Sequence, residues 1–402
     1  MISSEIEPAK RVERVEEYYF SQKLQEIRNM NKTGNPVINL GIGSPDLPPS
    51  PEVIEVLHQQ SQLEQNHGYQ PYAGIPELRE AFANWYSRYY QVILDPISEI
   101  LPLMGSKEGI MNISLAFLNP GDVVLVPNPG YPAYRSVGEL VGAVVHEYPL
   151  IEDSQWMPDL GLLEKNLLKG TRVMWVNYPN MPTGQPGNKE FFTRLIEFAR
   201  RNNILIINDN PYSFILNDKP YSLLSLPGAK GVIMELNSLS KSHNMAGWRM
   251  GMVAGKAEYI QYILRVKSNM DSGMFKPLQL AAVKALQAGT EWYEKQNRIY
   301  RERREKIWEI FDLLKCTYDL GQTGMFVWAK VPATAGAGKD IAEEILQKSR
   351  VFITPGFIFG TGGMQYLRAS LCQPVDIIVK AKKRILDQLG NFETPAQHIL
   401  YL

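Results

Sequence analysis

Ser238-Leu239-Ser240-Lys241-Ser242-His243-Asn244-Met245-Ala246-Gly247-Trp248-Arg249-Met250-Gly251 sets one lysine among small and hydroxyl-bearing residues, with an arginine eight positions on and glycines around it. A lysine that reacts as a free amine needs burial or neighbouring charge to bring its pKa down from about 10.4. Such an amine can condense with an aldehyde. The arginine, always charged and fork-shaped, suits a phosphate. Lys241 and Arg249 are therefore the first candidates for the reactive end and the phosphate end of one bound cofactor.

Short apolar runs flank this stretch, at residues 232–236 and 252–254, and similar runs occur at 123–126, 172–176 and 204–208. Each is bounded by turn residues, as central strands of a parallel sheet tend to be. Helical patterns lie between them, for example residues 189–201 with Asn188 as N-cap. This alternation predicts an α/β domain with a mostly parallel central sheet flanked by helices. Near Gly289 the pattern changes. Residues 291–314 read as one long charged helix, followed by strand 325–331, helix 340–348, strands 351–354 and 365–371, and helix 374–389. At the other end, a polar helix over residues 11–30 leads into a strand at 36–40. The expected division is a large cofactor-binding α/β domain, residues 49–289, and a smaller α+β domain from residues 1–48 and 290–402.

Bulk composition narrows the function. The 402 residues carry 42 Lys plus Arg and 42 Asp plus Glu, so no net field draws in nucleic acid or an acidic membrane surface. No apolar stretch is long enough to span a bilayer, and the polar opening residues 1–10 do not read as a signal peptide. Two cysteines, Cys316 and Cys372, are expected as reduced thiols of a cytoplasmic protein. The histidines His58, His67, His146, His243 and His398 lack metal-ligand spacing, so no metal is expected.

Four further segments carry chemistry. Gly105-Ser106-Lys107 opens a helical run, and a helix N-terminus offers free N–H groups and positive dipole to a phosphate. Asp209, in Asn208-Asp209-Asn210-Pro211-Tyr212, closes an apolar run, where a strand end points into the ligand crevice of an open sheet. Tyr178-Pro179-Asn180-Met181-Pro182-Thr183-Gly184 also follows a strand. Arg368 lies inside the apolar strand around Tyr366-Leu367-Arg368-Ala369-Ser370 and needs an anionic partner, which a substrate carboxylate or a structural ion pair would supply.

Taken together, in order and spacing from about Asn39 to Leu371, these segments resemble the class I and II aminotransferases, pyridoxal-phosphate enzymes of fold type I. The resemblance implies transamination between an L-amino acid and a 2-oxo acid by a ping-pong cycle through a Lys241 Schiff base. It implies Asp209 beside the ring nitrogen, Tyr212 on the phenolic oxygen and Tyr131 stacked on the ring. Gly105, Ser106, Lys107, Ser238 and Arg249 form the phosphate cradle, Arg368 holds the substrate α-carboxylate, and the Gly43 backbone closes over it. Tyr69, in Gly68-Tyr69-Gln70-Pro71-Tyr72-Ala73-Gly74, matches a tyrosine that reaches the partner subunit's phosphate, which implies a homodimer. Short segments look most like the LL-diaminopimelate and aspartate/alanine branches.

One position departs from the pattern. The family has asparagine before Pro-Thr-Gly, hydrogen-bonding the cofactor's phenolic oxygen; here Met181 stands there and can donate nothing. A lost donor to an ionised oxygen is worth roughly 1.5–3 kcal/mol. Two alternatives stand beside transamination: another Cα chemistry on the same fold, such as the β-elimination of a C–S lyase, and, with Met181 in place of asparagine, a weakly catalytic cofactor-binding protein. A regulator behind a DNA-binding module is not expected, since about 35 residues precede the first motif and no basic patch occurs.

Overall fold

The computed structural model describes residues 6–388 apart from 14, 16–18 and 33. Residues 1–5, the end of the helix expected to reach 389, and His398 lie outside the described residues.

A seven-stranded sheet forms the larger layer. Its strands are Ile100–Leu103 (β1), Val123–Asn128 (β2), Val144–Pro149 (β3), Thr171–Val176 (β4), Leu205–Asp209 (β5), Ile233–Ser238 (β6) and Gly251–Ala254 (β7). Their spatial order is β1-β7-β6-β5-β4-β2-β3. Strands β2 to β6 run parallel, and β7 alone runs against the other six. Every residue of β2 and β6 is buried, because helices cover both faces and leave no polar side to alternate with. Helix Lys189–Asn202 shows how the cover is built. The Asn188 side chain caps it by accepting from the Phe191 N–H at 2.8 Å, and Phe191, Phe192, Leu195, Ile196, Phe198 and Ala199 form its buried stripe.

Two strands escape the periodicity reading. Strand β3 is half-exposed at the sheet edge and mixes His146 and Glu147 into its run, while β1 carries Pro102. The 252–254 run forms a strand, but an antiparallel one, a distinction that apolar content does not encode.

The C-terminal part forms a four-stranded antiparallel sheet from Thr317–Tyr318 (β8), Phe326–Lys330 (β9), Thr354–Pro355 (β10) and Tyr366–Ser370 (β11), ordered β10-β11-β9-β8. The run at 351–354 is not one strand. Val351–Phe352 pairs in parallel with Ile38–Asn39, and only Thr354–Pro355 joins β11. The N-terminal helical stretch is also divided, into Lys10–Glu13 and Tyr19–Asn31.

The long helix Thr290–Leu313 buries Tyr293, Gln296, Tyr300, Arg303, Ile307 and Ile310, a spacing of three and four that marks one face. Arg303 on that face grips Asp46 with both terminal nitrogens, at 2.7 and 2.8 Å, and donates to the Leu371 carbonyl at 2.9 Å. One guanidinium thus fixes the loop after Ile38–Asn39 to the strand end beyond Arg368. Replacing Arg303 with methionine strands the Asp46 carboxylate. We expect a loss of about 3–5 kcal/mol in denaturant unfolding; a loss below 1 kcal/mol would contradict the assigned clamp.

Candidate active site

The C-terminal ends of β4, β5 and β6 open onto one cavity of about 650 Å³, closed from the other side by β9, β11 and helix Tyr19–Asn31. Lys241, Asp209, Tyr212, Ser106, Lys107, Tyr131, Ser238, Arg249, Arg368 and Gly43 all line it. Gly105 stands immediately behind, and Tyr69 lies elsewhere.

At one end, helix Ser106–Phe117 begins at Gly105, whose φ of 81° puts it in the left-handed region. A Cβ there would fall 2.1 Å from Nη2 of Arg249, so only glycine lets the guanidinium lie over the helix start. Arg249 itself adopts φ 55°, an uncommon conformation for a residue with a side chain, and donates from Nη1 to the Ala246 carbonyl at 3.0 Å and to the Ser240 hydroxyl at 3.3 Å. The Ser238 and Ser240 hydroxyls meet at 2.8 Å beside it. Hydroxyls, a guanidinium and the free N–H groups of a helix start without a side-chain cap make a cradle for a phosphate dianion.

In the middle, Asp209 ends β5. Its Oδ2 accepts from the Tyr134 hydroxyl at 2.9 Å, while Oδ1 is buried with no hydrogen-bond partner among the described residues. Burial pushes its pKa up to about 6, against the opposing pull of the Tyr134 hydrogen bond. A buried acceptor of this kind suits the protonated nitrogen of a pyridine ring, so the donor set fits pyridoxal phosphate. Tyr134 is stacked on Trp175 with ring centroids 5.0 Å apart and planes 6° from parallel, which fixes its hydroxyl. Sequence reading missed Tyr134. Its signal was the three-residue spacing from Tyr131, which places both at the start of helix Pro132–Leu140.

Lys241 donates from Nζ to the Gly43 carbonyl. Burial lowers its pKa to about 8; Arg368 and Arg249 act in the same direction and Cys372 opposes them. Set against the ordinary 10.5, that gives about 300-fold more free amine at pH 7.

Arg368, on β11, is buried, with its guanidinium 3.9 Å from the centre of the Phe326 ring and 4.6 Å from that of Phe359. Nη2 donates to the Gly41 carbonyl at 2.8 Å and Nη1 reaches the Met181 sulfur at 3.2 Å. Gly41, also missed from the sequence, and Gly43 thus connect Arg368 and Lys241 through one short loop. A Cβ on Gly43 would fall 2.2 Å from Phe326 Cζ.

Neither asparagine near Met181 replaces the missing amide. Asn180 turns back to accept from the Thr183 hydroxyl at 2.7 Å, and Asn177 accepts from the Met181 N–H at 2.7 Å while donating to the Asp209 carbonyl. Tyr69 is 92% exposed and borders a separate hollow with Gly68, Gln70 and Gly273.

Comparison with known proteins points one way. The family model described as aminotransferase class I and II matches residues 35–378. An LL-diaminopimelate aminotransferase of Desulforudis audaxviator is 40% identical over 385 residues, 95% of this chain and 98% of that protein. One of Aquifex aeolicus is 37% identical over 370 residues, 92% and 95% respectively. Among solved structures, substrate-bound BacF from Bacillus subtilis superposes with TM-score 0.90 at 36% identity, covering 95% of this chain and 98% of its own. A probable N-succinyldiaminopimelate aminotransferase from Thermus thermophilus gives TM-score 0.86 at 31% identity, covering 92% and 100%.

The Asp209 environment has a measurable consequence in cofactor-free protein. Its folded pKa of about 6 lies above the ordinary 3.8, so between these values the native state holds a proton that the unfolded chain has lost. This contribution to stability is therefore present at low pH and is lost as pH rises through 6. Asp209→Asn removes it: comparing denaturant unfolding at pH 4 and pH 7, the wild type should lose up to about 3 kcal/mol more than the variant. Parallel pH profiles for the two proteins would refute the assignment.

Proposed function

This chain belongs to the class I and II aminotransferases, and from that membership we propose a role for each residue of the cavity. The enzyme uses pyridoxal 5'-phosphate and moves an amino group between an L-amino acid and a 2-oxo acid. When bound, that cofactor supplies an aldehyde and an electron-accepting ring that acidifies a substrate α-C–H bond.

The protein's share of the work is positional and electrostatic. Ser106, Lys107, Ser238 and Arg249, with the amides after Gly105, hold the phosphate; Tyr131 covers one ring face. Asp209 accepts from the ring nitrogen and keeps it protonated, and Tyr212 donates to the phenolic oxygen. Arg368 grips the substrate α-carboxylate against Phe326, with the Gly43 backbone closing over it, and so sets which bond at the α-carbon faces Lys241. Lys241 would supply the amine that binds the cofactor aldehyde and, as a free amine, would hold the α-proton on Nζ. The observation that carries this reading is a lysine with pKa about 8 in the same cavity as a buried carboxylate oxygen lacking a partner among the described residues. Nothing in the site favours β-elimination over transfer, and the relatives are named for transfer.

We take LL-diaminopimelate, for which those relatives are named, as the first amino donor to test. The exposed Tyr69, outside its own chain's cavity, supports a homodimer in which it serves the partner subunit's phosphate. Pairing of Ile38–Asn39 with Val351–Phe352 supports grouping the N-terminal segment with the C-terminal domain. No described helix is long and apolar enough to cross a membrane, in keeping with a cytoplasmic setting.

Lys241→Ala should lower transamination by at least about 10⁴-fold while cofactor still binds noncovalently, seen by absorbance and stopped assays with a 2-oxo acid acceptor. Turnover within tenfold of wild type, or ammonia release without acceptor, would overturn the reading. Met181→Asn should restore a donor to the phenolic oxygen and lower the titration midpoint of the bound chromophore by about one unit or more. An unchanged midpoint would show that Met181 does not face that oxygen.

A further inference from the structure

Five cationic side chains line the cavity and only one carboxylate, Asp209. The reading above gives four of these side chains a role: Lys107 and Arg249 take the phosphate, Arg368 takes the α-carboxylate, and Lys241 is the reacting amine. The fifth, Arg28, has no assignment.

Arg28 lies on helix Tyr19–Asn31, where Phe20, Leu24 and Arg28 follow one another at four-residue intervals and all reach the cavity. That spacing stacks them along one helix face. Phe20 marks the near end, 5.8 Å from the Arg368 guanidinium. Eight residues, just over two turns of helix, separate Phe20 from Arg28, about 12 Å along the axis. Helical side chains lean toward the N-terminus, and Arg28 does so: its Nε donates to the Gln25 amide oxygen at 3.1 Å, and Nη2 reaches the same atom. Its charged group is drawn back toward Gln25, beyond the position of Leu24.

The partner of Arg28 is an amide, which orients a guanidinium without neutralising it. The acidic neighbours are committed elsewhere: Glu26 pairs with Lys23, and Glu343 pairs with Lys23 at 2.9 Å. Arg28 meets no carboxylate among the described residues. The same contacts anchor the helix, with Gln347 donating to Glu26 at 3.1 Å and the Tyr19 ring set edge-on to Phe357 at 5.4 Å. The result is an exposed guanidinium, oriented by Gln25, at the far end of an apolar wall that starts beside the α-carboxylate site.

Building on the aminotransferase reading, we propose that Arg28 is a specificity-determining residue that binds the distal carboxylate of the amino donor. The substrate class is then an α-amino acid whose side chain ends in a carboxylate several methylenes from the α-carbon. The Phe20 and Leu24 face packs those methylenes, and the guanidinium takes the terminal oxygens in its fork.

The test uses the cofactor-loaded full chain and matched substrate pairs. These are L-glutamate against L-norvaline, and L-2-aminoadipate against L-norleucine. Arg28→Gln should raise KM for the dicarboxylic member of each pair by about tenfold or more, with kcat within about twofold and the neutral members unchanged. Arg28→Lys should restore part of the loss. Calorimetric binding of adipate against hexanoate gives a readout without turnover: the variant should lose about tenfold in adipate affinity and none for hexanoate. Equal effects on both members, or none on either, overturn the proposal and leave Arg28 as a solvated helix charge. If wild type turns over no amino acid with any acceptor, the aminotransferase roles fail, whereas loss of adipate preference in the variant would still support an anion subsite at Arg28.

Discussion

Parallel strands all end at the same edge of their sheet, and the site of this protein depends on that constraint. Val176, Asp209 and Ser238 close three adjacent strands. The residues just beyond them are Asn177 to Met181, Pro211 to Tyr212, and Leu239 to Lys241. Groups that lie tens of residues apart in the chain are brought within reach of one small molecule because they share a strand end. The second layer then has one task, to bring Arg368 over that edge. It does so through the β11 register, in which Arg368 lies opposite Trp328 on β9 and Thr354 on β10.

Electrostatics follow from this convergence. Burial does most to disfavour the charged form of Lys241, and the like charges of Arg368 and Arg249 held on the same walls add to it. Asp209 shows the complementary case. Its own burial, with a single tyrosine for relief, makes it a stronger base than an exposed carboxylate. Both shifts come from the fold rather than from any local motif, which is why one lysine and one aspartate in ordinary-looking segments can be reactive.

Much of this was legible in the sequence. The chemistry-bearing segments contain turn residues that must follow strands, and ten of the twelve candidate residues reach one cavity. What the sequence concealed had physical reasons. The direction of β7 is set by its connection through Leu239 to Met250, not by its composition. The 351–354 run serves two sheets because the chain bends between Phe352 and Thr354, which a continuous apolar pattern cannot reveal. Tyr134 looked like a helix residue, since only the stacking on Trp175 aims its hydroxyl at Asp209. Gly41 contributes its carbonyl, a group every residue possesses, so identity carried no signal. The face of helix Tyr19–Asn31 read as polar surface because half of it is.

The Gly41–Gly43 loop has a consequence for how such an enzyme can change over generations. Its carbonyls touch Lys241 and Arg368, its glycines leave no room beside Phe352 and Phe326, and Arg303 anchors its far end at Asp46. A substitution there perturbs Lys241, Arg368 and the inter-layer clamp together, so this side of the pocket is frozen. The opposite wall, a helix tied down by surface contacts, can exchange residues one at a time without disturbing the reacting atoms. New substrates would be acquired across that wall, with the chemistry inherited intact.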